Sequence, residues 1–110
     1  MHQILLAATL LNTPLAIEEM STRDQRLFIL SAAAGFLCLV KDAPLDQASN
    51  ALAEFMGSIS NDFPDQEPWL RQRETFRAAA GLSLMLNTNC KAGTKENKDR
   101  MYRHAEPFLF

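Results

Sequence analysis

From Leu27 to Val40 the chain is apolar at every position except Ser31 and Gly35. That run is too short to cross a bilayer, which needs about 20 residues. A helix apolar on nearly all sides is normally the buried centre of a bundle. Ser21 and Thr22 precede it as candidate N-caps, Asp24 suits the positive end of the helix dipole, and Lys41 suits the negative end. The small residues Ala32, Ala33, Ala34 and Gly35 predict close approach of neighbouring helices. Asp42-Ala43-Pro44 reads as a turn, with Pro44 placed to open a second helix. There Ala48, Ala51, Leu52, Phe55, Met56 and Ile59 recur at helical spacing, and Asp46, Gln47, Ser49, Asn50 and Glu54 fall mostly on the other side. Gly57 sits inside this amphipathic helix at a cost of about 1 kcal/mol relative to alanine.

The segment from Asn61 to Pro68 breaks the pattern, and Asp65 or Glu67 ahead of Pro68 starts a third helix. This helix is expected to run from about Trp69 to Thr88. Its first half sets Trp69, Leu70 and Phe76 against Arg71, Gln72, Arg73 and Glu74. Its second half, Ala78 to Leu86, is nearly all apolar and predicted to be deeply buried, with Asn87-Thr88-Asn89 as its C-cap region. From about Lys91 onward the chain is a polar tail of mixed charge, with a weak helix expected around 95–105. The tail ends in Phe108-Leu109-Phe110, three apolar residues expected to pack back onto the bundle rather than to form a docking patch. The fold class that follows is all-α: a small bundle of three to four helices in one domain, spanning 17–110.

The first residues have a different character. Ile4 to Leu11 is apolar apart from Thr9, Pro14 follows, and Ala16 precedes the first acidic residues, Glu18 and Glu19. A short apolar core, a helix breaker and a small residue at the cut are the layout of a secretory signal, so 1–16 reads as a signal peptide. Against it, the extreme N-terminus has His2 but no Lys or Arg, and Pro14 stands where a small residue is preferred. Two other readings stay open: an N-terminal helix packed on the core, and a true start at Met20.

Composition narrows the function more than it identifies it. The 110-residue chain is 47% hydrophobic and 22% charged, ordinary for a folded domain, and its net charge of −2 gives no electrostatic footprint for nucleic acid. A domain this small buries only about two-thirds of the surface its unfolded chain exposes, so a covalent staple would help it. The two cysteines are the candidates. Cys38 falls near the C-terminal end of the first body helix and Cys90 just past the end of the third. In an up-down-up bundle those ends coincide, which makes a Cys38–Cys90 disulfide geometrically reasonable. The alternative is a pair of free, buried core thiols. Disulfides follow the redox compartment, so this choice is tied to the signal-peptide reading.

Catalytic chemistry finds little to work with. His2 and His104 are the two histidines, and neither joins a nucleophile–base–acid set. Cys38, Cys90 and His104 lack metal-ligand spacing, and no glycine-rich phosphate loop is present, so neither a metal nor another cofactor is expected. Asp62, Asp65 and Glu67 read as capping and solvated residues, and Arg71, Arg73 and Arg77 as a solvated helix face.

Between the cysteines the chain has a further outline. Gly35-Phe36 precedes the first cysteine, Pro44-Leu45-Asp46-Gln47 opens an amphipathic helix, and a proline-containing loop leads to the alanine- and leucine-rich stretch from Ala78 to Leu86 and then Cys90. This resembles the small periplasmic immunity proteins that protect bacteria against type VI secretion amidase toxins. The resemblance covers about half of the chain. It implies a signal peptide, a helical fold, an internal disulfide, frequent dimers and direct plugging of a toxin's active site. The chain departs from that pattern at Leu39-Val40, where the family usually has a proline, and in its longer polar tail. Small periplasmic acid-stress chaperones with one disulfide share the same outline. The expectation is a periplasmic or secreted helical protein that binds another protein, a toxin or a second copy, without catalysis. The alternative is a cytosolic helical interaction module with reduced cysteines.

Overall fold

Ser21 opens the first helix as the sequence pattern predicts: its side chain accepts a hydrogen bond from the Asp24 backbone N–H at 3.1 Å. The computed structural model describes residues 19–110. The candidate leader at 1–16 lies outside them, and Met20 is buried in the core. In chain order the elements are α1 (Thr22–Val40), α2 (Leu45–Asp62), a 3-10 turn (Pro64–Gln66), α3 (Glu67–Leu70), α4 (Arg73–Ser83), α5 (Lys95–Ala105) and a closing 3-10 turn (Glu106–Phe108). The described residues form an all-α fold with no strand.

The core is built around α1. Its Phe28, Ile29, Leu30 and Ala34 are buried against Ala78, Ala79 and Leu82 of α4, with Ile59, Phe63, Trp69, Leu70, Ala105 and Leu109 completing the cluster. Phe28 and Phe63 meet with ring centroids 5.6 Å apart. Burying each such large side chain contributes about 1.5–3 kcal/mol. Helix α1 packs most extensively on α4, where the side chains of Ala34, Ala78 and Ala79 are small and buried. Gly35 is not needed for that approach, since a Cβ placed there would meet nothing within 4 Å.

The expected third helix is two helices. Trp69 is pinned: it is buried, and its indole N–H donates to the Phe108 carbonyl at 2.8 Å. The Thr75 hydroxyl donates to the Trp69 carbonyl at 2.6 Å, and Gln72 is extended, with ψ 142°. The chain therefore leaves helical geometry at Arg71-Gln72 and re-enters it at Arg73. That break resets the helical phase, so Phe76 does not follow Trp69 and Leu70 inward and is 53% exposed. Helix α4 also stops at Ser83, short of the expected Thr88. Ala78, Ala79 and Leu82 are buried as expected, whereas Leu84 is 87% exposed because it lies beyond the helix on the outer side.

Residues 84–94 form a structured connection. The Asn87 side-chain oxygen accepts from the backbone N–H groups of Asn89 and Lys91, and the Asn87 carbonyl accepts from Cys90. This folds Cys90 into a left-handed conformation, φ 59°. The polar stretch after it is a full helix rather than a weak one. Thr94 caps α5 by accepting from the Asn97 N–H, and the Asn97 amide donates to the carbonyls of Met85 and Ala92. His104 of α5 lies over Gly81 of α4 so closely that a Cβ at Gly81 would come within 2.8 Å of its Nε2. The terminal residues pack back as expected for Leu109, which is buried, and for Phe108, which is half-buried, while Phe110 is 82% exposed.

Candidate functional site

Cys38 and Cys90 are joined in a disulfide, with Cα atoms 5.6 Å apart. The bond ties the C-terminal end of α1 to the connection beyond α4. Cys38 is buried and Cys90 partly so. With both sulfurs bonded, neither is a free nucleophile or metal ligand, and the pair's role in this structure is covalent closure.

The polar residues with hydrogen-bond potential are mostly committed to holding the chain together. The Arg26 guanidinium donates to Gln66 Oε1 at 2.8 Å and to the Leu109 carbonyl at 3.2 Å, and it lies over the Trp69 ring at 5.2 Å. Gln66, buried in the 3-10 turn, donates in return to Gln25. This cluster joins α1, the Pro64–Gln66 turn, α3 and the C-terminal residues. Glu67 of α3 pairs with Arg71, while Asp62 ends α2 and Asp65 lies in the turn after it. Among the described residues no group of three or more His, Cys, Asp or Glu side chains is arranged to hold a metal ion. His104 packs its ring 6.2 Å from that of Phe108 and stays exposed.

What stands out as unfilled is apolar. Helix α2 carries the stripe Leu52, Phe55, Met56 and Ile59 that its helical spacing predicts, but of these only Ile59 is fully buried. The helix stands off from α1, and one aromatic pair spans the gap: Phe36 and Phe55 meet edge to face at 4.7 Å. The result is a groove with a cavity volume of about 40 Å³, walled by α1, α2 and α4. Its floor is Ile29, Leu30, Ile59, Leu70 and Ala79. Its sides are Ala33, Phe36, Leu37, Leu52, Phe55 and Met56, and Phe76 stands at its rim. Thr75 is the one polar side chain in the lining, and its hydroxyl already donates to Trp69.

This groove corrects the expectation that α1 is enclosed on all sides. Along its C-terminal half, Phe36 and Leu37 are half-buried and Leu39 is 74% exposed. The sequence held a signal for it: α1 is apolar nearly all round, while the amphipathic α2 has one narrow stripe with which to cover it. The position of Phe76 was not legible, because it depends on the helix break at Arg71-Gln72. Chemically the groove can exclude water and hold apolar side chains; it offers no acid, base or nucleophile. No family model, curated protein or solved structure matches the chain.

Proposed function

We propose that this is a small exported helical protein, closed by the Cys38–Cys90 disulfide, that binds another protein through the groove between α1, α2 and α4. The observation that carries the reading is the groove itself: an apolar surface on a small domain, rimmed by an exposed phenylalanine and lacking catalytic groups in its lining. Protein association is supported by Phe76, a large apolar side chain exposed where the groove opens. Export is supported by the disulfide, which suits an oxidising compartment, and by the leader-like pattern of 1–16. An immunity- or inhibitor-like role is the sharpest form of the reading, supported by the resemblance of the segment from Gly35 to Cys90. Among the described residues no helix is long and apolar enough to cross a membrane.

Intact-mass measurement of the protein from its native host, with and without reduction, tests this directly. The expected mature form starts after Ala16, resists alkylation, and gains two hydrogens and two alkylatable thiols on reduction. An intact Met1 together with two thiols that alkylate without reduction would sink the exported reading in favour of a cytosolic module.

A further inference from the structure

The connection between α4 and α5 has a neck and a tip, and different interactions hold them. At the neck, the Asn97 side-chain amide of α5 donates to the carbonyls of Met85 and Ala92, at 2.9 and 2.8 Å, so one side chain pins both ends of the loop. The half-buried Met85 and Leu86 add apolar packing on the core there. The tip, residues 87–91, satisfies its own backbone. The Asn87 N–H donates to the Lys91 carbonyl, the Cys90 N–H to the Asn87 carbonyl, and the N–H groups of Asn89 and Lys91 to Asn87 Oδ1.

None of those bonds reaches α1. Among the described residues no hydrogen bond or ion pair joins the tip to that helix. Apolar packing does not join them either: Asn87, Thr88, Asn89 and Lys91 are exposed, and Cys90 is the one tip residue that is partly buried. The tip therefore meets α1 through a single link, the Cys38–Cys90 bond. The backbone at Cys90 favours release once that link opens. Its φ of 59° lies in the region natural for glycine, and a cysteine freed from the bond is under no covalent constraint to stay there.

We propose that the Cys38–Cys90 bond is a redox latch: a dithiol opens it, and the tip at 87–91 leaves α1 while the neck and the helices stay in place. The thiolate of the dithiol attacks the Cys90 sulfur, on the less buried side of the bond, since Cys38 is 4% exposed. The S–S bond breaks, and the Cys38 sulfur leaves with the electron pair and takes a proton. The second thiolate of the dithiol then displaces the Cys90 sulfur from the mixed disulfide, and Cys90 takes the second proton. The chain gains two electrons and two protons, and the dithiol becomes a disulfide. Because Asn97 keeps the neck closed, the Cys90 thiol stays near Cys38, which favours re-forming the internal bond over capture by another thiol. The latch goes beyond the binding reading above and does not rest on it.

The test compares backbone ¹⁵N order parameters of the full chain, oxidised and after native reduction with dithiothreitol, below the melting transition of the reduced form. In the oxidised chain the amides of Thr88, Asn89 and Cys90 should give values of about 0.85, like those of α1 and α4. After reduction they should fall below about 0.6 while the helices keep theirs. Cys90→Ser, which cannot form the bond, should show the mobile tip without any reductant. Reoxidation should restore the starting values in a monomer. Tip order parameters unchanged by reduction or by Cys90→Ser overturn the proposal, because the tip is then docked without the bond. Loss of resonance dispersion throughout the helices overturns it too, since the bond then holds the whole fold. So does a bond that dithiothreitol opens only in denaturant, or reoxidation to mixed disulfides and dimers. Each of these failures leaves the groove, and the binding reading built on it, untouched.

Discussion

Arg26 and Arg23 lie one turn apart on α1 and each covers an aromatic ring, yet they hold the fold to different degrees. The Arg26 guanidinium serves a buried amide oxygen, a backbone carbonyl and the face of Trp69. Gln66, one of its partners, is 3% exposed. Removing Arg26 would leave Gln66 Oε1 and the Leu109 carbonyl without that donor in a site water reaches poorly, and unsatisfied partners of a charged donor are expensive. Arg23 instead meets Asp24 and Glu106 at 3.8 Å, with side chains substantially exposed, and covers Tyr102 at 5.2 Å. Exposed pairs of that geometry contribute under about 1 kcal/mol. Urea unfolding should therefore show Arg26→Ala destabilised by about 2–3 kcal/mol and Arg23→Ala by less than about 1 kcal/mol. Equal losses would show that the cluster at Gln66 is not a buried network. None of this was legible in the sequence, where Arg26 is one charge ahead of an apolar run. Its partners are distant in the chain and meet it only because α3 and the terminal turn close over the same end of α1.

Helix α2 differs from the other long helices in how much of its stripe it buries. Helix α1 is held by α4 and by the core cluster; α2 is held by Ile59, by the Phe36–Phe55 contact, and by the turn that follows it. At its N-terminal end Leu45 is 83% exposed, and Gly57 adds the usual interior cost of a glycine without serving any close contact. Regions with few buried apolar contacts open at lower free energy than the global transition. Native-state hydrogen exchange should find the backbone amides of the first half of α2 exchanging at least about 10-fold faster than those of α1 from Leu30 to Cys38, with Ile59 marking the return of protection. Uniform protection across both helices would mean that α2 is as firmly docked as α1, and that the groove is a fixed surface. The existence and facing of α2 were readable from its period of apolar residues, as were the caps at Ser21 and Pro44. The standoff from α1 was not, because helical spacing says which side is apolar and nothing about how completely a neighbour covers it. Likewise the alanine- and leucine-rich stretch from Ala78 to Leu86 gave no sign that the helix would stop at Ser83. That end is decided by the Asn87 turn and by the need to bring Cys90 back to Cys38.

At the scale of the whole molecule, the disulfide is the constraint that a small domain with an uncovered groove most needs. It closes a loop of sequence separation 52, which contains α2, α3 and α4. In the chain-entropy account such a loop is worth about 4 kcal/mol, by restricting the unfolded chain. For domains of this size, each kcal/mol moves the midpoint by roughly 4–8 °C. Full reduction, verified by mass, should therefore lower the melting temperature by roughly 15–30 °C. The backbone at Cys90 modifies the outcome. Its φ of 59° is costly for a residue with a side chain and natural for glycine. With the crosslink gone, Cys38→Ala/Cys90→Gly should be more stable than Cys38→Ala/Cys90→Ala, by up to about 1 kcal/mol. The two measurements separate what the bond does from what the turn does. A melting temperature unmoved by complete reduction would show that helix packing and the Asn87 and Asn97 hydrogen bonds hold the C-terminal end of α1 against residues 84–94 unaided. The cysteines would then be dispensable to the fold, and the strongest physical reason for placing this protein in an oxidising compartment would be gone.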